Sequence, residues 1–171
     1  ATVKQVLLYW SGYYYDDPGT SADTMAIFVS GNPVIGTKIG GPTYFFPGAF
    51  AAAYRADITA LGLVGPGPNN LSIAGIYFGN RNHGAGVIVI YDDDSPATIA
   101  LLDGCDTAFV NFPAPRQETI EQTFSFPAHD APRTADLAIF AASVEGSDTP
   151  GLRPNVIKVT VGDNAPILFV D

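Results

Sequence analysis

Lysine and glutamate are scarce in this 171-residue chain, with three of each against fourteen aspartates. A helical surface is normally dressed with Glu and Lys, which lose little side-chain freedom in a helix. Asp competes for backbone amides and favours turns and caps. Basic residues are also few, eight against seventeen acids, for a net charge of −9. A chain so acidic has no basic patch for nucleic-acid phosphates or an anionic membrane surface. Cysteine is reduced to Cys105, so no disulfide closes within the chain and no cysteine zinc site can be built. No apolar run reaches the roughly 18 residues that a spanning helix needs. Charge is low overall, at 15%, against 47% hydrophobic residues, which excludes disorder and supplies a core.

What is abundant points one way. Eighteen Gly and fourteen Pro punctuate the chain at short intervals. Between them lie short runs of β-branched and aromatic residues, the pattern of strands and turns. Strands are expected at Thr2–Trp10, Met25–Ser30, Pro33–Lys38, Leu71–Phe78, Gly86–Tyr91 and Thr98–Leu102. Further strands are expected at Thr107–Phe112, Thr119–Phe126, Asp136–Ser143, Val156–Val161 and Ile167–Val170. Only Phe50–Leu63 has the alanine content for a helix, of one or two turns. The expected fold is all-β, a two-sheet antiparallel sandwich of the jelly-roll kind, forming a single domain over 1–171. Gly86–Tyr91 and Leu137–Ala142 are apolar at nearly every position. Strands of that kind are covered on both faces or buried by another subunit.

Four stretches taken in order, Leu7-Leu8-Tyr9-Trp10-Ser11-Gly12, Tyr54-Arg55-Ala56-Asp57-Ile58-Thr59, Ala85 to Asp92 and Leu101-Leu102-Asp103-Gly104, carry a family resemblance. The chain resembles an uncharacterised β-sandwich domain family of bacterial and archaeal secreted and cell-surface proteins. The resemblance implies an extracellular or cell-surface domain without known catalytic activity, and it covers roughly the first two thirds of the chain. A start at Ala1, with no initiator Met, is compatible with a mature secreted chain.

The acids fall in clusters. Asp92, Asp93 and Asp94 follow one expected strand, and Asp103 and Asp106 flank the turn after the next. Asp16, Asp17 and Asp23 sit in a loop after three tyrosines, and Asp130 and Asp136 form a looser group. Adjacent carboxylates repel and must be solvated or neutralised. Ca²⁺ does this well, since it takes several oxygen ligands in flexible geometry. Calcium is therefore the expected cofactor, although no cluster has the spacing of an EF-hand. A plain solvated turn would look the same.

Catalysis is not expected. There is no nucleophile elbow, and only two histidines, His83 and His129, are present. Cys105 stands between acids that disfavour its thiolate. Trp10, Tyr13, Tyr14 and Tyr15 are candidates for stacking on a glycan or filling an interface, with burial in the core as the alternative.

Both ends of the sequence are strand-like. Val3, Val6 and Leu8 lie in the first strand, and Ile167, Leu168, Phe169 and Val170 form the last, beyond a turn-forming spacer. An end strand at 163–171 able to swing away would pair with the next copy by strand addition. The expected protein is a non-enzymatic extracellular structural subunit. It assembles with itself into an oligomer or filament and carries calcium in its loops. A calcium-dependent carbohydrate-binding module is the alternative.

Overall fold

The computed structural model describes residues 1–15, 24–144, 155–162 and 167–170. It divides into two compact units, Ala1–Leu137 and Ala138–Asp171. The first holds the sandwich, and the second holds a two-stranded hairpin.

The fold is all-β, with antiparallel sheets. The larger sheet has four strands in the order β4-β5-β1-β7: Thr37–Phe46, Ala49–Asp57, Thr2–Tyr15 and Asn82–Asp92. The smaller sheet has the order β3-β2-β6: Asn32–Ile35, Ala26–Val29 and Ile73–Ala74. In the second unit β8 (Ile157–Thr160) pairs with β9 (Ile167–Val170) in a sheet of their own.

β1 organises the sandwich because it is apolar on both faces. Its even positions Val6, Leu8, Trp10 and Tyr14 enter the core with Ala52, Tyr54 and Ala56 of β5. The small sheet closes over them with Ile27, Val29 and Val34, its alternate residues Phe28 and Ile35 facing out. Phe78, in a 3₁₀ turn at Phe78–Asn80, fills the remaining space over Gly12, where a Cβ would collide with its ring. Trp10 is 2% exposed and stacks on Tyr54 at 5.7 Å. Its indole Nε1 donates to the Thr24 carbonyl at 2.8 Å, and the Thr24 hydroxyl accepts the Phe78 amide at 2.8 Å. Each buried polar group on this path therefore has its partner.

Turn chemistry fixes the hairpins. Ser30-Gly31 link β2 to β3 with φ of 46° and 83°, the two positive values that a two-residue hairpin loop needs. Pro47-Gly48 link β4 to β5, with Gly48 at φ 75°.

Two expectations fail in instructive ways. Phe50–Leu63 is not a helix: Ala49–Asp57 is strand β5, followed by a 3₁₀ turn at Thr59–Leu61. Its alanines are small because chain packs on both of its faces, and that demand overrides helix propensity. The strands expected at 98–102, 107–112, 119–126 and 136–143 are also not formed. The chain from Asp93 to Val144 runs in turns and irregular stretches without a ladder. Ile99, Val110, Ile120 and Leu137 in these stretches stay more than half exposed.

Candidate functional site

The odd positions of β1 build the second face of the large sheet, and part of the Asp93–Val144 segment crosses it. Tyr9 and Arg55 are register partners on β1 and β5. Asp103 meets both: the Tyr9 hydroxyl donates to its Oδ2 at 3.0 Å, and an Arg55 guanidinium nitrogen donates to the same oxygen at 2.6 Å. Burial first, and then the Asp103 carboxylate, raises the Tyr9 pKa above its ordinary 10. Arg55 is held still more firmly protonated, chiefly by its hydrogen bond to Asp103.

Beyond Asp103 the segment lies along β4. The Thr43 hydroxyl donates to the Cys105 carbonyl at 2.8 Å, and the Thr107 hydroxyl donates to the Tyr44 carbonyl at 2.5 Å. Gly40 permits this approach, since a Cβ there would strike the Cys105 backbone. Phe112 stands edge-on to Tyr44 and Phe46, and the Arg116 guanidinium lies 4.5 Å over the Tyr44 ring. β4 is broken by register shifts at Lys38/Gly40, Gly40/Thr43 and Tyr44/Phe46, and it contains Pro42. One edge of the large sheet is therefore irregular, proline-bearing and covered.

The other edge is β7. It pairs with β1 without a break from Gln5↔Ile90 to Ser11↔Gly84, with irregularities only at the two ends. Among the described residues no strand lies on its other side. Gly84 to Tyr91 carries no charge, Val87 is 36% exposed, and Ile88, Val89 and Ile90 are half-buried.

The expected metal ligands do not converge. Asp92 to Asp94 form an exposed turn at the end of β7: the Asp94 amide donates to Asp92 Oδ1 at 3.4 Å, and the Ser95 amide donates to Asp93 Oδ1 at 3.1 Å. Hydrogen bonding from the Ser95 hydroxyl and amide lowers the Asp93 pKa below its ordinary 3.8. Asp103 is neutralised by Arg55, and Asp106 Oδ2 accepts the Ile120 amide at 2.5 Å. Among the described residues no three His, Cys, Asp or Glu side chains stand together as a metal site would require. Asp16, Asp17 and Asp23 lie outside the described residues.

The aromatic candidates divide. Trp10 and Tyr14 are core residues, unable to stack on a ligand. Tyr13 packs with Phe45 at 4.7 Å and His83 at 5.6 Å, while exposed Tyr15 lies 4.8 Å from the Arg81 guanidinium carbon. His83 Nε2 is buried with no hydrogen-bond partner, and burial lowers its pKa below 6.5. A hollow bounded by Leu7, Val34, Arg55, Leu61 and Leu101 has no aromatic ring in its lining, so it offers no stacking platform for a sugar.

The expected assembly residues also divide. Val6 and Leu8 are buried in the sandwich core, and Val3 packs against it. β1 has a hydrogen-bonded neighbour on each side, so the first strand is interior to the large sheet. Ile167, Leu168, Phe169 and Val170 form β9, whose ladder partner is β8 and not the first strand.

Sequence reasoning missed the Tyr9–Asp103–Arg55 contact, the covering of β4 and the His83 cluster. A signal for the first was present: Arg55 is a lone cation among alanines in an otherwise apolar run. Comparison with known protein families, curated proteins and solved structures yields no match.

Proposed function

We propose that the chain is a non-enzymatic structural subunit that associates with itself by adding its C-terminal strand to a neighbour, working outside the cell. The observation that carries this reading is the β8–β9 sheet. It consists of two four-residue strands, and a two-stranded hairpin is marginal in water unless further strands or a packed face support it. Its sequence is nonetheless strongly apolar, and Val156 and Val161 beside β8 are more than half exposed. A second copy supplies what such a hairpin lacks. The exposed apolar residues of Asp93–Val144 add surface of the kind that interfaces bury. The extracellular location rests on the family resemblance of the first two thirds of the chain.

Calcium enters this reading at the Asp92–Asp94 turn. The three carboxylates lie in sequence at the end of an edge strand but do not stand together as a ligand set, so Ca²⁺ would have to draw them in, relieving their mutual repulsion, with water completing its shell.

Deletion of Ile167–Val170 is the test. The expected result is loss of large particles in light scattering while the far-ultraviolet spectrum of the sandwich persists, because the sandwich lies in Ala1–Leu137. Particles of unchanged size after the deletion would contradict the proposal.

A further inference from the structure

We infer that β7 is the acceptor edge, and that its occupant is β9 of a second copy of this chain; the inference rests on the self-assembly reading above. Sheet edges are templates for pairing unless something protects them, and the usual protections are charge, proline, bulges and a covering segment. β4 has three of these. It contains Pro42, its register with β5 shifts three times, and Cys105 to Arg116 cover it through hydrogen bonds and ring contacts. Among the described residues β7 shows none of them between Gly84 and Ile90. Its ladder with β1 is continuous there, no side chain is charged, and no backbone hydrogen bond other than those to β1 is made among the described residues.

The chain also carries the matching donor. β9 hydrogen-bonds to β8 on one side, and among the described residues no strand pairs with its other edge. Ile167-Leu168-Phe169-Val170 is uncharged, as is Gly84 to Tyr91, in a protein of net charge −9. A contact between these two surfaces brings no like charges directly opposite one another. Among the described residues, one chain therefore carries two uncharged stretches of strand, Gly84 to Tyr91 of β7 and Ile167–Val170 of β9, each with a single hydrogen-bonded neighbour.

Donor and acceptor are different surfaces. Made reciprocally, a β9-to-β7 contact closes a two-fold dimer; made one way, it is head-to-tail. In the one-way case each added copy presents a fresh β7 and a fresh β9, so the assembly closes into a ring or continues as a filament.

Paired cysteines in a Cys105→Ala background test the contact. Val87→Cys and Ile88→Cys mark the acceptor, Leu168→Cys and Phe169→Cys mark the donor, and Tyr44→Cys marks the β4 edge as control. Single-cysteine proteins are mixed pairwise under assembling conditions and oxidised. The expected result is a covalent hetero-pair for at least one acceptor–donor combination, with none from Tyr44→Cys. Particles that form but cross-link at Tyr44→Cys, or at neither edge, would overturn the acceptor and leave self-assembly standing; absence of any particles would overturn both. Val87→Lys, at a partly exposed position, gives a second readout: loss of particles with an unchanged melting temperature is expected, and undiminished particles would refute the inference.

Discussion

Tyr9 and Arg55, opposite one another on neighbouring strands, converge on a single carboxylate oxygen of Asp103, at 3.0 and 2.6 Å. The contact ties a segment almost fifty residues further along the chain to the centre of the large sheet. It explains why Tyr9 and Leu7 are buried although they point away from the sandwich core.

Removing that tie should loosen the segment more than the sandwich. Arg55 is partly exposed, so solvent screening limits the ion pair to about 1 kcal/mol or less, with the Tyr9 hydrogen bond contributing about as much. Asp103→Ala is therefore expected to lower stability by about 1–2 kcal/mol in denaturant titration. Amide exchange should accelerate at residues 103–112 and not in β2 or β3. Uniform acceleration across both sheets would show that Asp103 supports the whole core.

The core on the other face makes larger demands. Leu8 is fully buried between the sheets, and Leu8→Ala should cost about 2–5 kcal/mol through lost burial and the cavity left behind. Gly12→Ala places a methyl group where the Phe78 ring sits, so it should destabilise despite improving strand propensity. Chemical denaturation checks both, and a stabilised Gly12→Ala protein would contradict the packing described.

His83 predicts the behaviour in mild acid. Burial lowers its pKa in the folded protein, so the unfolded chain takes up the proton first as pH falls. Its neutral form is favoured by the fold, and stability should fall as pH drops below 6.5 towards the lower folded value. Asp57 and Asp93 act in a separate window. Their hydrogen-bonded carboxylates have lowered pKa values, and the stability they contribute is lost only below the ordinary 3.8. Melting temperatures from pH 7 down to pH 5 should fall for the native sequence and fall less for His83→Phe, a shape the Tyr13–Phe45 cluster can accept. Parallel curves would contradict the burial argument.

The calcium proposed for the Asp92–Asp94 turn carries a direct thermodynamic test. A ligand that binds only the folded state at about 100 times its Kd adds about 2.7 kcal/mol, so millimolar Ca²⁺ should raise the melting temperature. Asp92→Asn with Asp93→Asn should abolish the increase. An increase that survives both substitutions would place the metal elsewhere, and no increase at all would remove it from the account.

Much of the sandwich was legible because its strands carry their own turn chemistry. β1, β2, β3 and the central part of β7 follow from β-branched and aromatic runs bounded by Gly, Asn and Asp, and Ser30-Gly31 marks its hairpin locally. β4 was less legible: Gly40-Gly41-Pro42 reads as a turn, yet the sheet absorbs it as a break in register. β5 was hidden because alanine favours helices in isolation, while here it is selected by close packing on two faces. Stretches such as Thr98–Leu102 have strand sequences without a strand partner in the described residues. Pattern reports what a residue run can pair with, and the partner decides whether it does. Contacts on Asp103 depend on strand register, which no local spacing encodes.

Particle size measures the central claim most directly. Light scattering on a sizing column, with negative-stain microscopy of the same fractions, should be made on the full chain with millimolar Ca²⁺ and again with chelator. Self-assembly through strand addition predicts particles larger than the 18.0 kDa subunit, a dimer when the contact is reciprocal and rings or filaments when it is one-way. Softening or dispersal of these particles in chelator would add the metal to the account. A monomer under both conditions would contradict it.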